Sequence, residues 1–208
     1  MATVMTGDAD RAAATARVGA AVVGLSRLVA AWEKVAVTGL SAAIFALILV
    51  NIVTRAVGRP LIWVDEAAVY LMVAMCFIGA SLTVRQRLDF AVTFVIDRFG
   101  RRGRRVIDAG LSATGLAYAL FLLWCAWMMF DPAGLWAAGF DIARFTADTL
   151  NFVYTEPTQT IGIPRFVVYL VMPVYAAGLT VHATANLVED CGWVPRAADG
   201  AGLIPDQG

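Results

Sequence analysis

The residues of this chain that could do chemistry are few and widely spaced. It has one histidine, His182, standing four residues before Asn186. An imidazole can ligate a metal or pass a proton, but two-histidine ligation of a membrane haem cannot be built from one. Cys76 and Cys125 sit within apolar runs and Cys191 near the end, with no paired spacing for zinc, haem or a disulfide. No glycine-rich phosphate loop, histidine cluster or nucleophile constellation is present. The expectation is therefore a protein that is not an enzyme and carries no cofactor, metal or disulfide. His182 and Asn186 fall on one helical face and read as interhelical hydrogen-bonding groups, as does Asn51. The sharper signal is the acidic pair Asp65 and Glu66 directly before a long apolar run, with Arg85 and Arg87 after it. A helix dipole favours that polarity of charge, so these residues read first as markers of two water boundaries. Arg55 and Arg59 end the preceding apolar run, and Gly58 with Pro60 can turn the chain between the two. A surface ion pair across that helical hairpin is expected, worth about 0–1 kcal/mol if wet.

The elements that hold these residues are apolar helices. Of the 208 residues 60% are hydrophobic and 15% charged, too apolar for an ordinary water-soluble domain of this length. The formal net charge is zero, so no basic field points to a nucleic-acid partner. A bilayer core of about 30 Å needs about 20 apolar residues in a helix. Four stretches meet that need, at about 35–54, 67–84, 109–130 and 166–188. The fold class is an all-α integral membrane protein with four transmembrane helices. Residues 1–34 form a cytoplasmic N-terminal segment, 35–188 the four-span domain and 189–208 a cytoplasmic tail. Val18, Val22, Leu25, Val29 and Trp32 recur at helical spacing, so an amphipathic lead-in helix should run into the first span. A cleaved signal peptide is the rival reading. Its apolar stretch from Val18 to Leu25 is short, Arg27 ends it, and no small-residue cleavage site precedes a polar region.

The segment "LDFAVTFVIDRF", 88–99, is apolar but carries three charges, a penalty of up to roughly 9 kcal/mol at mid-span against about 3–4 returned. Asp89, Thr93 and Asp97 form a narrow polar stripe, so an interfacial helix between spans two and three is expected. Lys and Arg number twelve in the N-terminal segment, second loop and tail together, against four in the other two loops. Both termini are then cytoplasmic. The basic run "RFGRRGRR", 98–105, reads as a patch for membrane lipid headgroups. Apart from His182 no ionisable residue lies deep in a span, which weighs against an autonomous pump. Small residues such as Gly39, Ser41, Gly79, Ala80, Gly110 and Gly115 would let helices approach closely, and Pro173 should kink the fourth span.

The run "NIVTRAVGRPLIWVDEAAVYLMVAMCFIGASLTVRQRLDFAV" resembles the signature region of the small membrane subunit of tripartite ATP-independent periplasmic (TRAP) transporters. The resemblance is carried by Asn51 and Arg55 at the end of the first span, Trp63 before Asp65 and Glu66, Gly79-Ala80 in the second span, and Arg85 after it. "IGIPRFVVYLVMPVYAAGL" is similar to the family's last span through Pro164, Tyr169 and Pro173. Asp89 stands where the family often has His, and the loop 131–163 is longer than the family's usual connection. A loop of that length is expected to carry short helices and to contact an extracytoplasmic partner.

The resemblance implies a bacterial or archaeal inner-membrane transport complex working by sodium-coupled symport. Its partners would be a large TRAP membrane subunit and a periplasmic solute-binding protein, and its solute an organic acid. This chain would be the small permease subunit and scaffold, with Asn51, Arg55, Trp63, Asp65, Glu66, Gly79, Ala80, Arg85, Pro164, Tyr169 and Pro173 as subunit-interface or structural residues. The alternative is a membrane-anchor subunit of a redox complex, which would require a haem or quinone and an electron-transfer partner.

Overall fold

The structure, a computed structural model, describes residues 2–87 and 101–195, with the side chains of 2–12, 101, 102, 104 and 105 outside that description. The expected interfacial helix over 88–99, the side chains of most of the basic run and the tail beyond 195 lie outside the described residues. Among the described residues there are seven helices and no strand: α1 Ala2–Ala56, α2 Ile62–Gln86, α3 Arg101–Phe130, α4 Pro132–Ala137, α5 Ile142–Thr149, α6 Phe166–Tyr169 and α7 Val171–Asp190. Four helical stretches are long and apolar enough to cross a membrane: Ala13–Ala56, Ile62–Gln86, Val106–Ala137 and Phe166–Asp190.

Helix ends fall where the sequence chemistry places them. The 55 residues of α1, about 82 Å at 1.5 Å each, run unbroken from the lead-in through the first span. It stops where Gly58 takes a left-handed φ of 73°. The Gly58 and Arg59 N–H groups then bond back to the carbonyls of Arg55 and Thr54, a Schellman ending followed by Pro60. α7 closes the same way at Gly192 (φ 78°), with Trp193 N–H on Val188 O. Between α6 and α7 the helix is interrupted at Leu170. Pro173 is the cause: it has no N–H for the Tyr169 carbonyl and its ring crowds that turn.

The chain divides into two compact units: Met1–Trp32 with Ser81–Leu120 and Ala177–Gly208, and Glu33–Ala80 with Phe121–Ala176. In the first, α1 turns Gly19, Val23, Ser26 and Ala30 inward. Its larger apolar residues Val18, Leu25 and Trp32 face outward. The inward face is mostly of small residues, which lets neighbouring helices of this unit approach closely. Gly19 is the tight spot, where an added Cβ would lie 2.7 Å from a Val194 methyl. An added Cβ at Gly39, Gly79, Gly110 or Gly115 would meet nothing within 4 Å among the described residues, so no close approach is made at those positions by the described part of the chain.

In the second unit Tyr154 is the hub of an aromatic cluster. Its ring meets Phe130, Phe145 and Phe166 at 6.3, 5.6 and 5.3 Å, and its hydroxyl donates to Phe130 O at 2.6 Å. Burial first, and the Asp131 carboxylate second, hold this phenol above its ordinary range, so it stays a donor. The two short helices expected of the long loop are α4 and α5. Asp131 caps α4 on Gly134 N–H ahead of Pro132 at the first helical position, and Asp141 caps α5 on Ala143 and Arg144 N–H. Phe145 of α5 is fully buried against Tyr154. Phe145→Ala should therefore lower stability by about 3–5 kcal/mol, read as an earlier thermal transition of the purified protein in detergent. An unchanged transition would mean that the loop helices dock without this side chain.

Candidate functional site

Two charge clusters carry the polar chemistry of the described chain, one in each unit. The first unit holds a closed ionic network. The Arg85 guanidinium, its side chain 3% exposed, reaches Glu189 (2% exposed) through Nη2 to Oε1 at 3.1 Å and Nη1 to Oε2 at 3.3 Å. Nη1 also donates to Asn186 Oδ1 at 3.1 Å. Arg87, in a left-handed turn at the end of α2, bonds Asp190, Glu189 and the Asn186 carbonyl. Ser112 donates to Asp190 at 2.6 Å, and the Asn186 amide donates to Val84 O at 2.8 Å. One turn earlier on α7, buried His182 shares a 2.7 Å hydrogen bond with buried Ser26. Two arginines thus meet two carboxylates. This corrects the reading of Arg85 as a wet boundary marker: it is buried, because the end of α7 supplies a matching carboxylate. His182 and Asn186 take the interhelical roles expected of them.

The second unit holds the other charged end of α2. Asp65 accepts from Asn51 Nδ2 at 2.6 Å and from Arg55 Nη2 at 2.5 Å, and Asn51 Oδ1 accepts from Arg55 Nε at 2.9 Å. That closed triangle is the expected hairpin ion pair. Both charges are more than half exposed, so the pair adds little to stability. Glu66 behaves differently. Its carboxylate accepts from the backbone N–H groups of Gln159, Thr160 and Ile161, from Thr160 Oγ1 and from Tyr70 OH, at 2.6–3.2 Å. Successive N–H groups converging on one anion make a backbone nest, here filled by a side chain of the same chain. The nest sits at the tip of a hairpin closed by Thr158 N–H on Ile163 O, Arg165 N–H on Glu156 O and the Arg165–Glu156 ion pair at 2.7 Å. Gly162, at φ 81°, supplies the turn.

Among the other residues singled out from the sequence, Pro164 bridges Pro157 across this hairpin, and Tyr169 receives a hydrogen bond from Arg165. Trp63 is exposed in the first turn of α2. Gly79 and Ala80 lie on α2 outside both clusters. Arg87, like Arg85, was read from the sequence only as a boundary marker, and sequence reasoning missed Ser112, Glu189, Asp190, Tyr70, Thr160 and Arg165 as members of these clusters. The available signal was charge complementarity between Arg85-Gln-Arg87 and the Glu189-Asp190 step at the ends of two spans. Among the described residues no group of three or more His, Cys, Asp or Glu could hold a metal ion.

Four apolar spans with charges closed in ionic and hydrogen-bonded clusters define a multi-pass membrane protein. The family model for tripartite ATP-independent periplasmic transporters, DctQ component, matches residues 44–192, and the chain belongs to that family of transporter subunits. A curated relative, the C4-dicarboxylate TRAP transporter small permease protein DctQ of Vibrio cholerae serotype O1, is 28% identical over 128 residues, 58% of this chain and 53% of the relative. The matched part thus spans about half the length of that relative. No solved structure matches the chain.

Removing one member of a buried ion pair leaves the other charge without its partner, at about 3–5 kcal/mol. Arg85→Ala should therefore cause a large loss of thermal stability in detergent, and Arg85→Lys a smaller one, since lysine lacks the two-pronged geometry. The exchange R85E/E189R should recover part of the loss; no recovery would mean that packing rather than charge pairing fixes this end of α2.

Proposed function

We propose that this chain is the small permease subunit of a TRAP transporter and acts as a fixed brace for the large membrane subunit. In this reading the large subunit performs sodium-coupled symport of an organic acid delivered by a periplasmic solute-binding protein. The chain lies in the bacterial or archaeal inner membrane with both termini cytoplasmic. The family match supports the assembly, and the C4-dicarboxylate relative supports the solute class.

The brace role rests on one observation: the charged side chains at the ends of α2 are bound inside the chain. Asp65 is held by Asn51 and Arg55, Glu66 by the 159–161 nest, and Arg85 by Glu189 and Asn186. Groups used this way are fasteners, not stations on an ion path. Trp63 and the open faces at Gly79 and Ala80 are then assigned to packing against the large subunit, together with the outward apolar residues of the spans. Asn51, Arg55, Asp65, Glu66, Arg85, Pro164, Tyr169 and Pro173 shape the surface that is presented.

Affinity purification of the chain from its native membrane in mild detergent should recover a large polytopic subunit, identified by mass spectrometry. Recovery of redox subunits would replace the brace with a membrane anchor. Glu66→Ala removes the acceptor shared by three backbone donors of the 159–161 nest, so sodium-dependent uptake or recovery of the complex should fall. Glu66→Gln should be nearly as harmful, because half of its amide is a donor facing donors. Unchanged uptake and assembly in both variants would remove Glu66 from this role.

A further inference from the structure

We propose that the segment running from α4 through the residues after α5 lies on the bilayer. In this arrangement Trp136, Phe140, Leu150 and Phe152 enter the boundary between headgroups and acyl chains in the leaflet reached by the end of α3. The argument begins with depth. Residues 109–130, between Asp108 and Asp131, span about 33 Å as a helix and already fill the hydrocarbon core. α4 therefore starts at the boundary, with Trp136 in its single short turn. The far end of the segment is tied to the same depth. Asn151 Nδ2 donates to Met129 O at 2.9 Å and Tyr154 OH to Phe130 O, so two carbonyls of the last turn of α3 hold residues 151 and 154 beside it.

The side chains at that depth are the wrong ones for water. Trp136 is 74% exposed, Phe140 63% and Leu150 74%, and Phe152 is exposed too. Trp136 and Phe140 stack edge to face at 5.6 Å without being covered. Phe140 and Leu150 also stand at left-handed φ, 63° and 57°, where a bulky side chain is disfavoured and Gly or Asn is the usual choice. Apart from the Trp136–Phe140 ring contact, the exposure of these side chains leaves most of their apolar surface to be covered from outside the chain. The surface is continuous along the chain with Trp124, Trp127 and Met128, exposed on the last two turns of α3. α5 shows the complementary wet side: Arg144 and Asp148 pair at 3.7 Å, each about two-thirds exposed. An aromatic and aliphatic rim with a charged opposite side is the composition of a segment lying in a membrane interface. The loop 131–163 carries four acids against one arginine, so attraction to anionic headgroups cannot hold it there. The occupant is neutral lipid, engaged through apolar contact.

The test uses the full-length chain with whatever subunits it purifies with, so it stands whether or not the transporter reading holds. With Cys76, Cys125 and Cys191 replaced by serine, Trp136→Cys and Leu150→Cys are each labelled with an environment-sensitive fluorophore and reconstituted in phosphatidylcholine vesicles. Both positions are solvent-facing in the chain, so neither substitution empties a core. Shallow nitroxide lipids should quench both labels at least twofold more than aqueous iodide does, unaltered by phosphatidylglycerol or by high salt. Asp148→Cys should show the reverse. Iodide quenching at 136 and 150 equal to that at 148 would overturn the proposal in favour of an aqueous surface. Protection from iodide without quenching by nitroxide lipids would overturn it in favour of a protein partner.

Discussion

A charge that leaves water must meet its counter-charge where it stands, and this rule organises the polar half of the molecule. Arg85 and Glu189 are both almost fully buried, at the ends of α2 and α7. A bidentate contact of that kind fixes distance and rotation together, so the two helix ends are held in one register. Arg87 and Asp190 repeat the pairing beside it, and Asn186 and Ser112 add hydrogen bonds to Arg85 and Asp190. Two arginines against two carboxylates make the arrangement formally neutral, which lowers the cost of burying Arg85 and Glu189.

The same accounting governs the backbone. Each helix ends with carbonyls that have no partner of their own, and hydrocarbon offers none. α1 and α7 solve this with glycine turns that fold the chain back on its own carbonyls. At the end of α3 Asp131 is left-handed as well and its N–H returns to Trp127 O, but Pro132 starts a new helix at once, and the Met129 and Phe130 carbonyls take Asn151 and Tyr154 from the returning loop. The loop's aromatic cluster is thus also the cap of a span. Glu66 performs the inverse service, gathering three amide protons of the 156–165 hairpin onto the head of α2. A long extramembrane loop is in this way pinned at two places to the helices it connects.

Both devices consume charged and polar groups that, taken alone, resemble the parts of an ion pathway. Their internal use fits a subunit whose work is to hold shape, and the family to which the chain belongs divides labour among subunits.

Four long apolar helices, the continuous lead-in of α1 and the break caused by Pro173 were legible in the sequence, because length, hydropathy and missing donors are local properties. Asn51 with Arg55 and Asp65 was legible too, since a tight turn at Gly58 and Pro60 leaves their ends little freedom. The partner of Arg85 was not: Glu189 is more than a hundred residues away, and the ends of α2 and α7 can meet in several ways that only packing selects. Glu66 read as a helix-end charge, yet its use depends on a hairpin of Gly162, Thr158 and two prolines whose amide protons converge only once folded. The small face of α1 was equally hidden. Periodicity marks where large apolar residues lie, but here the inward face is made mostly of small ones, with Ser26 meeting His182.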